Sequence, residues 1–177
     1  MDMKRLYILR HSKAGQAGKK LLDDHERPLT EKGSELCPPI GKHLSNCDTP
    51  PDLVLCSPAL RTRQTAEQVI RAMDTSPELK LIPALYLATP DDILNIIQKE
   101  CDERYKSTLI VGHNPGLQQL CILIAGSGDK SKFRDLRNNF PPAALATYNL
   151  ENCNNWLDIG IQSGTLIDFQ TAKKLHS

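Results

Sequence analysis

The sequence predicts an α/β fold, a three-layer sandwich with helices on both faces of a mainly parallel central sheet. Three observations carry this. The short apolar runs Leu6-Tyr7-Ile8-Leu9, Leu53-Val54-Leu55-Cys56 and Thr108-Leu109-Ile110-Val111 lack polar alternation, as strands buried on both faces do. Longer segments with apolar residues at helical spacing separate them. Each run also stops abruptly on polar residues, and open α/β sheets bind ligands at the carboxyl ends of their strands. A chain of 177 residues suits one domain, 1–177, with a sizeable core.

The first strand spans Lys4 to Leu9, and a polar loop follows from Ser12 to Leu29. Thr30 can cap a helix that runs towards Leu44, with a break near Cys37 where Pro38-Pro39 interrupts it. After a turn, Leu53 to Cys56 forms the second strand. Ser57-Pro58 opens a helix to about Met73, with proline in its first turn and Ala66, Val69, Ile70 and Met73 facing inward. Lys80 to Ile82 is a short third strand. Pro90-Asp91-Asp92 starts a helix whose apolar face is Ile93, Leu94, Ile96 and Ile97. Thr108 to Val111 is the fourth strand, and Gly112-His113-Asn114-Pro115-Gly116 turns into a helix from about Leu117 to Ala125. Gly126 to Pro142 reads as a polar connection. Ala143 to Leu150 and Trp156 to Ile161 read as a closing pair of strands.

Composition excludes several classes. The net charge of +1 is no nucleic-acid footprint. No apolar run approaches the ~20 residues of a membrane span, so no membrane partner is expected. The start, MDMKRLYILRHS, has too short an apolar core for a signal peptide, so the expected compartment is the cytoplasm. The six cysteines are scattered, without a C-x-x-C pair, and read as free thiols. Cys56 has no base beside it in sequence, so it reads as a small apolar residue rather than a nucleophile.

Three polar motifs follow predicted strands: Arg10-His11, Ser57-Pro58 with Arg61, and Gly112-His113-Asn114. Parallel strands end on one side of a sheet, so the motifs can converge on a pocket of two histidines and two arginines. Arginine forks match phosphoryl oxygens, and the two motifs at helix starts add backbone donors and a favourable dipole. Nearby positive charge favours neutral imidazole, which is a nucleophile. A metal is the rival use of two histidines, but the arginines would repel it and the motifs hold no carboxylate. No metal and no cofactor are expected.

The three motifs together resemble the signatures of the histidine phosphatase superfamily, also called the phosphoglycerate-mutase-like fold. They are Leu9-Arg10-His11-Ser12, the stretch from Ser57 to Ala66, and Val111-Gly112-His113-Asn114-Pro115-Gly116. The chain length and Asp24-His25-Glu26-Arg27-Pro28-Leu29-Thr30 are similar to the SixA-type phosphohistidine phosphatase branch. The resemblance implies that His11 becomes phosphorylated and that Arg10, Arg61 and His113 hold the phosphoryl oxygens. Ser12 stands where glycine is common and could add a phosphate contact, as could Asn114. The mutase branch carries a glutamate proton donor after its third strand. Here Ala84-Leu85-Tyr86-Leu87-Ala88-Thr89 has no carboxylate, which argues against mutase activity. Asp24 is the best remaining acid, although it could instead pair with Arg27 and pin the loop. Ser57 could bond phosphate, though a helix cap fits it better, and His25, His43 and His176 read as surface histidines, of which only His25 is near the proposed pocket.

The expected activity is a metal-independent phosphatase acting on phosphohistidine in a signal-transduction protein, a phosphorelay or phosphotransfer component. Its rivals are a phosphatase of small phosphomonoesters or nucleotides and a non-catalytic module that binds phosphorylated partners. Only about eight residues separate Ile82 from Asp91, which leaves little chain for a lid and favours an open pocket. Lys130, Lys132, Arg134 and Arg137 could rim that pocket for an acidic partner, or form a solvated loop.

Overall fold

A computed structural model describes residues 3–15, 23–151 and 153–175. Its centre is a seven-stranded sheet made of β1 (Lys4–Arg10), β2 (Leu53–Cys56), β3 (Glu78–Leu81), β4 (Ser107–Gly112), β5 (Ala125–Gly128), β6 (Leu145–Leu150) and β7 (Gly164–Gln170). The spatial order is β3-β2-β4-β1-β6-β7-β5. β6 runs antiparallel to both its neighbours, β1 and β7, while β3, β2, β4 and β1 pair in parallel, as do β5 and β7. The sequence expectation of a mainly parallel sheet between helical layers matches this architecture.

The three central parallel strands are apolar on both sides because both sides are covered. On one face, Tyr7, Leu9, Val54, Cys56, Leu109 and Val111 pack with α2 (Cys37–Ser45) and α3 (Leu60–Arg71). On the other, Leu6, Ile8, Leu53, Leu55 and Ile110 pack with α4 (Pro90–Glu100) and α5 (Gly116–Ile124). Ile93, Leu94, Ile96 and Ile97 all lie in that second core, as their spacing predicts. Thr89 starts α4 with a reciprocal cap, its hydroxyl accepting from the Asp92 N–H while the Asp92 carboxylate takes the Thr89 N–H.

Thr30 caps α1 (Glu31–Glu35), accepting from the Gly33 N–H, and the chain breaks at Leu36 before α2, where the prolines require it. Three expectations need correction. Ser57-Pro58 lies outside α3, which begins at Leu60, because the Ser57 N–H still belongs to the sheet and donates to the Val111 carbonyl at 3.0 Å. The stretch from Gly126 to Pro142 is not a plain connection. It contains part of β5 and α6 (Lys130–Asn138), whose first turn is capped by the Asp129 carboxylate and whose apolar side rests on Leu136. Trp156 to Ile161 is not a strand. Asn155 and Asp158 cap a single 3-10 turn there, and the buried Trp156 indole donates to the Tyr105 carbonyl at 3.0 Å. The last strand comes later, as β7, with α7 (Ala172–Leu175) after it. The register shift opposite Thr147/Tyr148 breaks the strict alternation that would have marked β7 in the sequence. Among the described residues no helix is long and apolar enough to cross a membrane.

The loop after β1 is clamped onto α1. The Thr30 N–H and hydroxyl both donate to the Lys13 carbonyl, at 2.9 and 3.2 Å. The Ser12 hydroxyl donates to the Gly33 carbonyl at 2.7 Å. A Cβ on Gly33 would sit 2.1 Å from the Lys13 carbonyl oxygen, so only glycine permits this approach. Gly33→Ala should therefore lower unfolding stability by about 1–3 kcal/mol, the usual range for overpacking. In urea the midpoint should fall at unchanged slope; an unmoved midpoint would show that the clamp yields freely.

Candidate active site

The register of the sheet brings the three motifs level. Arg10 pairs with Gly112 across β1 and β4, and Cys56 with Val111 across β2 and β4. The next N–H on each outer strand extends the ladder, His11 to the Gly112 carbonyl and Ser57 to the Val111 carbonyl, both at 3.0 Å. His11, Ser57 and His113 therefore emerge side by side. The rings of His11 and His113 lie 5.3 Å apart between centroids.

The tautomer of His11 follows from its partner. Nδ1 lies 2.7 Å from the Ser12 carbonyl, which can only accept, so Nδ1 carries the proton and Nε2 keeps its lone pair. Ser12 is fixed in turn: its N–H donates to the Thr65 hydroxyl at 3.0 Å, and that hydroxyl donates to the Arg61 carbonyl at 2.7 Å. Ser12 is fully buried. Both its hydroxyl and its N–H have protein partners, so the expected phosphate contact is corrected to a positioning contact. His113 lies between Ser57 and Arg61. An Arg61 NH2 group can only donate to His113 Nδ1, at 3.4 Å, so Nε2–H donates to the Ser57 hydroxyl at 2.7 Å. Ser57 thus holds His113 and does not cap α3.

Burial, followed by the neighbouring arginines, lowers the His11 pKa to about 4. Burial, then His11 and Arg61, lowers His113 to about 3. Both rings are neutral at physiological pH, as nucleophilic imidazole requires. Burial equally raises the Cys56 thiol to about 12, which leaves it an inert core residue.

Two arginines border the rings. Arg61, 4% exposed, donates one NH2 bond to Asp24 Oδ2 at 3.0 Å and an NH1 bond to the Asp24 carbonyl. Arg10 donates through NH1 to the Phe140 carbonyl at 2.8 Å, and Asn114 Nδ2 donates to the same carbonyl at 3.1 Å. Arg10 Nε is buried and has no hydrogen-bond partner among the described residues. A buried unmatched donor beside a second guanidinium is a site built for an anion. Asn114 is positioned by Phe140, and its Oδ1 has no partner among the described residues.

Asp24 sits in the middle of this charge. Its carboxylate accepts from Arg61, from Arg27 NH1 at 2.8 Å and from the Tyr86 hydroxyl at 2.7 Å. Those donors, Tyr86 first, hold it well below the usual carboxylate range. It is an ionised, three-way ion-pair and hydrogen-bond partner, not a poised proton donor, and with Arg27 Nε on the Gly15 carbonyl it pins the loop. Of the two sequence readings of Asp24, the pinning one fits this geometry.

Residues 84–89 hold no carboxylate, but Tyr86 among them reaches the site. Its ring meets His113 edge-on at 5.4 Å and His25 at 5.0 Å, which puts His25 at the rim of the pocket, where the sequence places it. His43 is half-buried against Asp168 at 3.3 Å, away from the site, and His176 lies outside the described residues. Arg63 is half-buried on α3, also outside the site. Among the described residues no group of three histidines, cysteines or carboxylates could hold a metal ion.

The sequence model described as histidine phosphatase superfamily (branch 1) matches residues 6–85. A solved structure from Nakamurella multipartitia, named for the phosphohistidine phosphatase SixA, superposes with a TM-score of 0.81 at 27% identity over 97% of each chain. One from Agrobacterium tumefaciens, named likewise, gives 0.77 at 28%, covering 95% of this chain and 97% of that one. An uncharacterized chloroplastic protein of Arabidopsis thaliana is 29% identical over 137 residues, which is 73% of this chain and 62% of that protein.

Two outcomes follow from the geometry. The two low histidine values lie below the unfolded value of about 6.5, so their contribution to stability is whole above that pH and is lost as pH falls through the folded values. The His11 ring C–H resonance should titrate with a midpoint near 4. A midpoint of 6 or more would mean an exposed, ordinary ring. Asp24→Asn removes the carboxylate that competes for Arg61, and inorganic phosphate should then bind several-fold more tightly by calorimetry. Weaker binding would mean that the Asp24 charge builds the anion site rather than occupying it.

Proposed function

The chain belongs to the histidine phosphatase superfamily, and from that premise we propose that it hydrolyses phosphohistidine on a protein through a phosphorylated His11. His11 carries the reading. Its Nδ1–H is tied to a carbonyl, its Nε2 keeps the lone pair with no hydrogen-bond partner among the described residues, and the charges of Arg61 and Arg10 act on the ring.

In the first step His11 Nε2 attacks phosphorus and the N–P bond to the substrate imidazole breaks. The phosphorylated imidazole carries its proton on the other ring nitrogen, so it departs as neutral imidazole and the released nitrogen keeps the electron pair of the broken bond. In the second step water attacks the phosphorus on His11, the new N–P bond breaks, inorganic phosphate departs and the His11 lone pair returns. Arg61 and Arg10 stabilise the phosphoryl oxygens through both transition states, Arg61 by exchanging the Asp24 carboxylate for phosphoryl oxygen. Transfer of this kind depends on positioning and charge more than on covalent help from the protein.

The substrate class follows from what stands at the leaving-group side. Tyr86, not a carboxylic acid, occupies the stretch after β3, and Asp24 keeps Arg27 and the Tyr86 hydroxyl as partners when Arg61 turns to the phosphoryl group. An alkoxide needs a proton from a well-placed acid. A phosphoramidate leaves readily once its own nitrogen is protonated, so such a site favours it. The short connection between β3 and α4 supports access for a side chain presented on another protein's surface. SixA-named structures among the similar chains favour the same substrate.

The expected kcat/KM for a phosphohistidine protein is at least tenfold above that for any common sugar or nucleotide phosphate, about 1.4 kcal/mol of discrimination. The test is a side-by-side assay at neutral pH reading free phosphate, with rapid quench and mass spectrometry for phosphate on His11. Better turnover of a small ester would favour the small-molecule reading. Normal turnover by His11→Ala would end the phosphoenzyme mechanism.

A further inference from the structure

We propose that the exposed face of α6 is a docking surface for an acidic patch beside the phosphohistidine of the substrate protein. The inference rests on the protein-substrate reading above and names the surface that would select the partner.

Lys130, Phe133, Arg134 and Arg137 recur at spacings of three, one and three residues, which places them on one side of the helix. With Asn138 they line a depression of about 400 Å³. A second depression of about 220 Å³, floored by Gly126 and Gly128, adjoins it and shares Lys130 and Phe133. Lys130, Arg134 and Arg137 are exposed. The Arg137 guanidinium lies 5.8 Å over the Phe133 ring, which gives the depression an aromatic floor beside its cations.

The acidic residues near the helix do not neutralise this groove. Asp129 is occupied as the N-cap, accepting from the Ser131 and Lys132 N–H groups. Asp135 turns to Lys174 at 3.5 Å, and its approach to Arg134 is only 4.0 Å. Lys132 faces inward, to the Ile167 carbonyl at 2.7 Å and to Asp168 at 3.5 Å, so it belongs to the scaffold rather than the groove. Among the described residues no carboxylate lines the depression that Lys130, Arg134 and Arg137 enclose. Cations gathered about an aromatic ring complement carboxylates carried on a protein surface.

Two connections fix this face relative to the chemistry. Gln118, on the helix that follows His113, donates to the Leu136 and Arg137 carbonyls at 2.9 and 3.1 Å. α6 ends at Asn138, and two residues later the Phe140 carbonyl receives Arg10 and Asn114. A partner seated on α6 therefore lies beside the pocket, held at a set distance by the helix itself. Charged groups at such a rim raise the association rate and give it salt dependence more than they add affinity.

The experiment uses the full chain carrying Lys130→Glu, Arg134→Glu and Arg137→Glu together, with the glutamine versions as a milder set. Substrates are a phosphohistidine-loaded phosphotransfer domain of net negative charge and the small compound phosphoramidate. The expected result is a fall of at least tenfold in kcat/KM for the protein substrate, carried by KM. The salt dependence seen in the wild type should be lost, and turnover of phosphoramidate should be unchanged. An equal fall on both substrates would make α6 a structural support and overturn the proposal. So would unchanged turnover of the protein, or stronger inhibition of the wild type by a single-stranded oligonucleotide than by polyglutamate. A wild type inactive on both N–P substrates would instead bring down the phosphohistidine reading itself, and the inference with it.

Discussion

Two backbone hydrogen bonds govern the geometry of the site. The His11 and Ser57 N–H groups each extend the parallel ladder by one rung, onto the last carbonyls of the strand between them. That pairing makes three strands end level, and residues adjacent in the sheet become adjacent in the pocket. A slip of one residue in either ladder would turn His11 or Ser57 to the opposite face. Alternate side chains of these strands are packed into two separate cores, so such a slip would force both to repack, and core packing and site geometry are fixed by the same constraint.

On that frame the charges are arranged by dehydration. The pocket gathers two guanidiniums and two imidazoles, and burial keeps the imidazoles neutral so that positive charge resides on the arginines. The chain supplies this site with a carboxylate of its own, Asp24, held by Arg61, Arg27 and Tyr86. This internal counter-ion lets a strongly cationic site exist in the folded protein before any ligand arrives.

The parallel half of the sheet and the convergence of Arg10, His11, Arg61 and His113 were legible because apolar runs and the polar residues that end them are local features of the chain. What stayed hidden was set by distant partners. Ser12 and Ser57 look free in sequence, yet each is claimed by a residue on another element, Gly33 and Thr65 for one and His113 for the other. Tyr86 carries no signal until Asp24 is seen beside it. α6 was obscured by its charge, since only Leu136 among its residues is buried. β7 was misplaced because a bulge interrupts its alternation and the bulky Trp156 drew the strand assignment to a capped turn.

β6 has a consequence of a different kind. As the strand reversed against its neighbours, it begins where β1 ends, with Leu145 opposite Leu9. The segment that enters it, around Phe140, is thus delivered to the mouth of the pocket, although it belongs to no catalytic motif. Its length is unconstrained by any ladder. Chain added between Asn139 and Pro142 would reshape the entrance and move the Phe140 carbonyl that anchors Arg10 and Asn114, while leaving the sheet and both histidines in place. The reversal thus makes one short segment the place where chain length sets both what the pocket admits and how its outer arginine is held.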